Sequence, residues 1–163
     1  MKLIPLTQGK SAIVDDDQYD FLMQWKWHAA KCSNTFYARR KTWKDGKEVI
    51  VYMHRVIANN PDTDLIVDHA DGNGLNNTYT NIRICTISQN QMNRFSRRTN
   101  QFKGVSERGT SGIFRARIRK DGKLIHLGNF KTQIDAANCY DLAAKNLFGD
   151  FARTNNSLNS LTL

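Results

Sequence analysis

The residues best suited to chemistry lie in one segment, Ile66 to Asn93, which reads IVDHADGNGLNNTYTNIRICTISQNQMN. An apolar run leads into Asp68 and His69 at the end of a predicted strand, and a loop rich in Gly and Asn follows. These are residue types of acid–base and metal chemistry, because a carboxylate binds hard cations and an imidazole titrates near neutral pH. An isolated Asp-His pair is usually structural, so the elements around it decide its meaning.

A hairpin and a helix are predicted around the Asp-His pair. Residues 81–85 read as the return strand, and Thr86 with Gln89 three positions later forms the capping box that begins a helix. The first turns of that helix place Asn90 and Asn93 on one face. A hairpin with His on its first strand, followed by a helix that bears Asn, resembles the ββα-metal motif of HNH endonucleases.

Further motifs extend this resemblance. The segment HRVI at 54–57, the run VDHADGNGLNNTYTNIR and the Asn-bearing helix are similar to the HNH domain of phage homing endonucleases, across residues 50–95. A second set of motifs is similar to the ethylene-response-factor (APETALA-type) DNA-binding domain. This set comprises KGV at 103–105, LGNF at 127–130 and the Ala, Tyr, Asp and Phe-Gly positions of 136–149. The two modules commonly share a chain in such endonucleases, and residues 1–49 resemble their strand-rich N-terminal part more loosely.

For each matching position the resemblance implies a role. His69 would be the general base that takes a proton from the water attacking the scissile phosphate, and Asn81 would hydrogen-bond across the loop and orient His69. Asp68 and Asn90 would hold one divalent ion, Mg²⁺ or alternatively Mn²⁺, through oxygen ligands. Arg83 is assigned a phosphate contact. Asn90 stands where the family usually has His, as in the homing subgroup, which leaves the choice of metal open.

Two other metal sites fit the residue types but not the spacing. A zinc site from His28, His54, His69 and Cys85 would contain no CxxC or HxxxH pair. An EF-hand at residues 71–73 fails because its Gly comes too early and no bidentate Glu follows. We therefore expect no structural zinc, and interpret Cys85 as a small packed side chain and His54 as part of the local structure.

The N-terminal part is predicted to contain short strands and a short helix. Strands at Leu3–Leu6 and Ala12–Val14 precede a helix, for which Asp15–Asp17 offer an N-cap and first-turn acids. The apolar residues assigned to this helix are Tyr19, Phe21, Leu22, Met23 and Trp25. A hairpin of Phe36–Trp43 and Glu48–Met53 follows, with Asp-Gly at its turn, and His54–Ala58 reads as a short helix. We interpret Phe21, Trp25 and Trp27 as core residues rather than as a platform for stacked bases.

The C-terminal part is predicted to be a three-stranded antiparallel sheet packed on one helix. Residues 112–120 alternate strictly between an apolar face and an arginine face. Thr132 is the predicted N-cap of the helix, with Asp135 three residues later, and Gly149 is predicted to end it. The apolar helix positions are Ile134, Ala137, Tyr140, Ala144 and Leu147.

The predicted fold class is therefore α+β with two domains. An HNH nuclease domain at 1–93 contains a strand-rich N-terminal part and the ββα-metal motif at about 64–95. A basic linker at 94–101 joins it to an ethylene-response-factor-like domain at 102–155, and a tail occupies 156–163.

The charge of the chain is concentrated in one segment. The formal net charge is +9, and residues 91–131 alone carry +9, whereas residues 1–90 carry +1 and residues 132–163 carry −1. Basic residues interleaved with Phe favour double-stranded DNA as the partner over a merely solvated face. The arginine face would lie in the major groove, with the linker across the backbone. The residues assigned to DNA contact are Arg94, Arg97, Arg98, Lys103, Arg108, Arg115, Arg117, Arg119, Lys123 and His126.

Composition excludes several other classes of protein. The longest uninterrupted apolar run is five residues, at 49–53, whereas a bilayer span needs about 20. The start of the chain lacks a signal-peptide core, and three scattered cysteines fit a reducing compartment, so we expect a cytoplasmic protein of a bacterium or phage-infected cell. The predicted function is a site-selective, metal-dependent DNA endonuclease of the homing type. We expect no small-molecule cofactor beyond the metal and no membrane partner. We favour a monomer as the oligomeric state. The alternative is a DNA-binding transcription regulator with an inactive nuclease fold.

Overall fold

The computed structural model describes residues 1–94 and 102–155. The chain divides into two compact units, Met1–Asn90 and Gln91–Leu163. Arg97 and Arg98 of the predicted linker, and the predicted tail at 156–163, lie outside the described residues.

Short strands and short helices alternate along the first part of the chain. Their order is β1 (Lys2–Pro5), β2 (Ser11–Val14), α1 (Asp16–Leu22), β3 (His28–Cys32), β4 (Thr35–Lys44), β5 (Lys47–Tyr52), α2 (Met53–Ile57), β6 (Ile66–His69), β7 (Ile82–Cys85) and α3 (Ile87–Met92). Three antiparallel sheets result: β1 with β2, β3-β4-β5, and β6 with β7.

The β4–β5 hairpin has the predicted turn chemistry. Asp45 and Gly46 both have positive φ, 51° and 71°, as a tight two-residue turn between right-twisted strands requires. The core of this unit joins the first hairpin, α1, the β3–β5 sheet and α2. Its buried members are Ile4, Ala12, Val14, Leu22, Trp27, Ala38 and Met53.

Several expectations for the N-terminal helix were wrong. α1 ends at Leu22, so Met23 and Trp25 lie beyond it. A helix of seven residues buries one side chain here, Leu22, and the adjacent Phe21 is 45% exposed with its ring edge-on to Trp25. The predicted N-cap position of Asp15 and the first-turn acids Asp16 and Asp17 are confirmed, but the Asp15 carboxylate makes no capping bond and accepts from the backbone N–H of Tyr79 at 2.7 Å.

The second unit contains a three-stranded antiparallel sheet and a long helix. The strands are β8 (Val105–Glu107), β9 (Phe114–Lys120) and β10 (Lys123–Phe130), with β9 in the middle, and α4 spans Gln133–Phe148. Ala116 and Ile118 of β9 are buried, as are Ala136 and Tyr140 of α4, so the apolar strand face packs against the helix.

The ends of α4 follow the sequence signals, with one exception. The Thr132 hydroxyl accepts a hydrogen bond from the N–H of Asp135 at 3.1 Å, and Gly149 caps the other end. The assignment of Ile134 to the apolar face was wrong, because this side chain is 63% exposed. In the first turn the buried positions are Ala136 and Ala137.

Only glycine fits at position 104. Gly104 has φ +76°, and a Cβ there would overlap the ring of Tyr140 and come within 2.7 Å of the Arg117 carbonyl oxygen. The sheet and the helix of the second unit are therefore packed directly against this turn.

Candidate active site

The β6–β7 hairpin brings two of the predicted site residues together. Its register pairs Asp68 with Arg83 and His69 with Ile82. Directly opposed residues share a sheet face, and here Arg83 Nη2 and Nε donate to Asp68 Oδ2 at 2.7 and 3.1 Å. Both side chains are largely buried. The arginine predicted to contact phosphate therefore neutralises the carboxylate predicted to bind metal.

Asn81 closes the loop that connects the two strands. Its Oδ1 accepts from the N–H of Asp71 at 3.0 Å, and its Nδ2 donates to Asp71 Oδ1 at 3.0 Å and to the Asn76 carbonyl at 2.7 Å. Its own carbonyl accepts from the N–H of Ala70 at 2.9 Å. The side chain of Asn81 thus joins Asp71 to Asn76 and its carbonyl holds Ala70, which together fix the backbone that follows His69.

The imidazole of His69 lies inside the unit. The residue is 4% exposed, and its Nε2 lies 3.1 Å from Oδ1 of Asn77. The rings of His54 and Tyr37 contact it with centroid distances of 5.0 and 5.7 Å. The resemblance implied that Asn81 orients His69, and Asn77 was not predicted to take part. The loop contains several asparagines of equal appearance, so nothing in the sequence distinguishes this one.

The loop between β6 and β7 packs closely against strand β4. The N–H of Gly74 donates to Oγ1 of Thr35 at 2.9 Å. A Cβ at Gly74 would lie 2.5 Å from the Phe36 carbonyl oxygen and 2.7 Å from the Tyr37 ring, so only glycine permits this approach. This contact explains why position 74 of the loop is glycine.

Burial controls the protonation of both histidines. Burial lowers the pKa of His69, although the hydrogen bond with Asn77 and the charges of Asp71 and Asp68 act in the opposite direction. Burial also lowers the pKa of His54 to about 3, with the His69 and Arg55 charges acting in the same direction. Both rings are therefore neutral at pH 7, which is the state in which an imidazole accepts a proton.

The predicted capping box is confirmed at the start of α3. The Thr86 N–H donates to Oε1 of Gln89 at 2.9 Å, and the Gln89 N–H lies 3.3 Å from Oγ1 of Thr86. Asn90 is half-buried in this helix. The helix ends at Met92, one residue before Asn93, so Asn93 lies just beyond the helix that was predicted to carry it.

The residue types that the resemblance assigns to the metal are those that a hard divalent cation binds. Within residues 1–94 and 102–155, no group of three or more His, Cys, Asp or Glu side chains is arranged to hold a metal ion. A site with one carboxylate and one amide oxygen, completed by water and phosphate, requires no such group. Asp68 and Asn90, which the resemblance assigns to the metal, have these two oxygen types, and the Asp68 carboxylate is paired with Arg83 in this structure.

The second unit carries a basic sheet face opposite α4. Side chains alternate along β9, and its arginines pair in register with residues of β10. One groove of this face is lined by Arg108, Arg115, Arg117, Leu124, His126 and Asn129. Arg119 and Lys123 are exposed nearby on the same two strands, whereas Lys103 is half-buried, and burial lowers its pKa to about 8. Arg94 is exposed.

Comparison with known proteins identifies the class of this hairpin, loop and helix. Residues 51–92, from the end of β5 to the end of α3, match the HNH endonuclease family. A protein of Acanthamoeba polyphaga mimivirus described as an uncharacterized HNH endonuclease is 32% identical over 153 residues, which cover 91% of this chain and 76% of the viral protein. The chain belongs to the HNH endonuclease family and is a DNA-hydrolysing enzyme. Among the described residues no helix is long and apolar enough to cross a membrane.

Proposed function

We propose that this protein is a site-selective DNA endonuclease of the homing type that depends on a divalent metal and uses His69 as its general base. The observation that carries the proposal is the buried imidazole of His69, held 3.1 Å from Asn77 beside the Asp68–Arg83 pair. A neutral imidazole that is fixed in place can remove a proton from water without first losing one of its own.

The other residues of the site have complementary roles. Arg83 lies on the same sheet face as Asp68, so its guanidinium can turn from the carboxylate to a DNA phosphate. Asn81 holds the loop closed and prevents the backbone after His69 from shifting. Mg²⁺ or Mn²⁺ held by Asp68 and Asn90 would stabilise the charge on the phosphate and on the leaving 3′ oxygen.

Site selection is assigned to the second unit as an ethylene-response-factor-like DNA-binding domain. The arginines of β9 can contact guanine edges or phosphates when the sheet lies in the major groove. Residues 91–131 carry the entire +9 excess, so binding and cutting are divided between the two parts of the chain. Arg94, together with Arg97 and Arg98, would lie along the DNA backbone.

Cleavage mapping tests this function. The purified chain is incubated with Mg²⁺, Mn²⁺ or EDTA and DNA carrying the sequence that flanks its own gene, and both strands are mapped. We expect metal-dependent cuts at one site, and we expect His28→Ala, a change outside the proposed site, to cut like the unaltered protein. Binding without a nick under either metal would instead support the DNA-binding regulator.

A further inference from the structure

Asn77 is almost completely buried, and its side chain connects His69 to two other groups. The residue is 1% exposed. Its Oδ1 lies 3.1 Å from Nε2 of His69, and its Nδ2 donates to the Leu75 carbonyl oxygen at 3.2 Å and lies 3.7 Å from Sδ of Met53. A carbonyl oxygen can only accept, so the amide nitrogen must face Leu75 and the amide oxygen must face His69.

This orientation determines where the proton of His69 resides. An amide oxygen has no hydrogen to give, so Nε2 must be the donor in the bond with Asn77. A neutral imidazole carries one N–H only. The lone pair of His69 is therefore on Nδ1.

Asn77 is itself held by the backbone of the first hairpin. Its N–H donates to the Ile13 carbonyl at 2.8 Å, and the Ile13 N–H donates to the Leu75 carbonyl at 2.8 Å. These two bonds attach residues 75–77 to β2, beside the fully buried Val14. The N-terminal strands, which lie outside the span matched by the family, thus fix the position of the amide.

We propose that Asn77 is a positioning residue that selects the Nε2–H form of His69 and thereby makes Nδ1 the atom that accepts the proton from water. The inference rests on the proposed function. As Nδ1 takes this proton, the water oxygen bonds to phosphorus and the P–O3′ bond breaks. The 3′ oxygen takes a proton from solvent, and the imidazolium later returns its proton to solvent. The ring contacts with His54 and Tyr37 oppose a flip that would exchange the two nitrogens.

Nitrogen-15 NMR of the histidine rings of the full chain tests the assignment without DNA or metal. The His69 signals are identified by their loss in His69→Gln. We expect a protonated Nε2 and an unprotonated Nδ1 near neutral pH, and a loss of this preference in Asn77→Leu. A protonated Nδ1 in the unaltered protein would overturn the proposal even if the protein cuts DNA.

Cleavage kinetics provide the second readout. We expect Asn77→Leu to lower kcat by about 10- to 100-fold with an unchanged KM for DNA. Asn77→Asp keeps an acceptor for Nε2–H and should recover most of kcat. Val14→Ala is the matched control, since it loosens the same packing without touching the hydrogen bond, and should keep both kcat and the ring signals.

The outcomes separate this proposal from the proposed function. Normal kcat in Asn77→Leu, or an equal loss of kcat in Val14→Ala, would show that Asn77 does not position the base. If the unaltered protein cuts no DNA, the proposed function fails, and the ring signals still decide which nitrogen carries the proton. If Asn77→Leu does not fold, the ring signals of the unaltered protein and of Asn77→Asp still show which nitrogen of His69 carries the proton.

Discussion

Acid should destabilise the first unit, because two buried histidines stay neutral there. Burial lowers the pKa of His54 from 6.5 to about 3, and that of His69 in the same direction. Between pH 6.5 and about pH 3, the unfolded chain binds a proton at His54 that the folded unit does not bind. The free energy of unfolding therefore falls as the pH falls from 6.5 towards 3.

The His54 shift sets the size of the effect. Each pKa unit corresponds to about 1.4 kcal/mol, so His54 alone should reduce the free energy of unfolding by about 3 kcal/mol between pH 7 and pH 4. His69 adds a loss of the same sign. His54→Phe keeps an aromatic ring against Tyr37 and Tyr52 but removes the titrating nitrogens, so the variant should lose about 3 kcal/mol less over this range.

Tryptophan fluorescence isolates this unit, since the three tryptophans, Trp25, Trp27 and Trp43, all precede residue 91. Urea unfolding followed by this signal at pH 7, 6, 5 and 4 gives the free energy at each pH. The control His126→Gln removes an exposed histidine of the second unit and should follow the unaltered protein. An identical pH dependence for His54→Phe and the unaltered protein would refute the argument.

Three further predictions follow from the packing and charge of the molecule. Gly104→Ala should destabilise the second unit by about 3 kcal/mol, because the new methyl group overlaps the Tyr140 ring at a residue with positive φ. Thermal unfolding checks this, with Gly109→Ala as the control, because no atom lies within 4 Å of a Cβ at position 109. Arg117→Ala should weaken DNA binding and reduce the slope of log affinity against log salt by about 1, as anisotropy titrations would reveal; an unchanged slope would remove Arg117 from the phosphate contacts. Asp68→Ala should abolish Mg²⁺-dependent cleavage, and EDTA should do the same to the unaltered protein; full activity in either experiment would contradict the assigned metal ligand.

Local sequence signals predicted much of the fold. Short motifs reveal features that involve only residues close in sequence. Here these are the Thr86–Gln89 capping box, the Asp45-Gly46 turn and the Thr132 cap. The alternation in β9 likewise predicted which face α4 covers. β3 was not predicted, because HAAKC has little β-branched or aromatic character and forms a strand through its partner β4.

The site was less predictable than the elements that carry it. Asp68 and His69 were identified by their neighbours in sequence. Asn77 was not, because its contact with His69 depends on how the loop sits against β2 and Met53, and those contacts span up to 64 residues. The exposure of Phe21 and Ile134 is a tertiary property of the same kind, which helical spacing alone does not determine.

The single-turnover rate of DNA cleavage by His69→Ala tests the central claim most directly. Each protein, in saturating excess over the target DNA, is mixed with that DNA and Mg²⁺, and DNA affinity is measured separately for each. Loss of a general base should slow cleavage by at least about 100-fold while affinity stays the same. Cleavage by His69→Ala at the rate of the unaltered protein would show that His69 does not accept the proton from water.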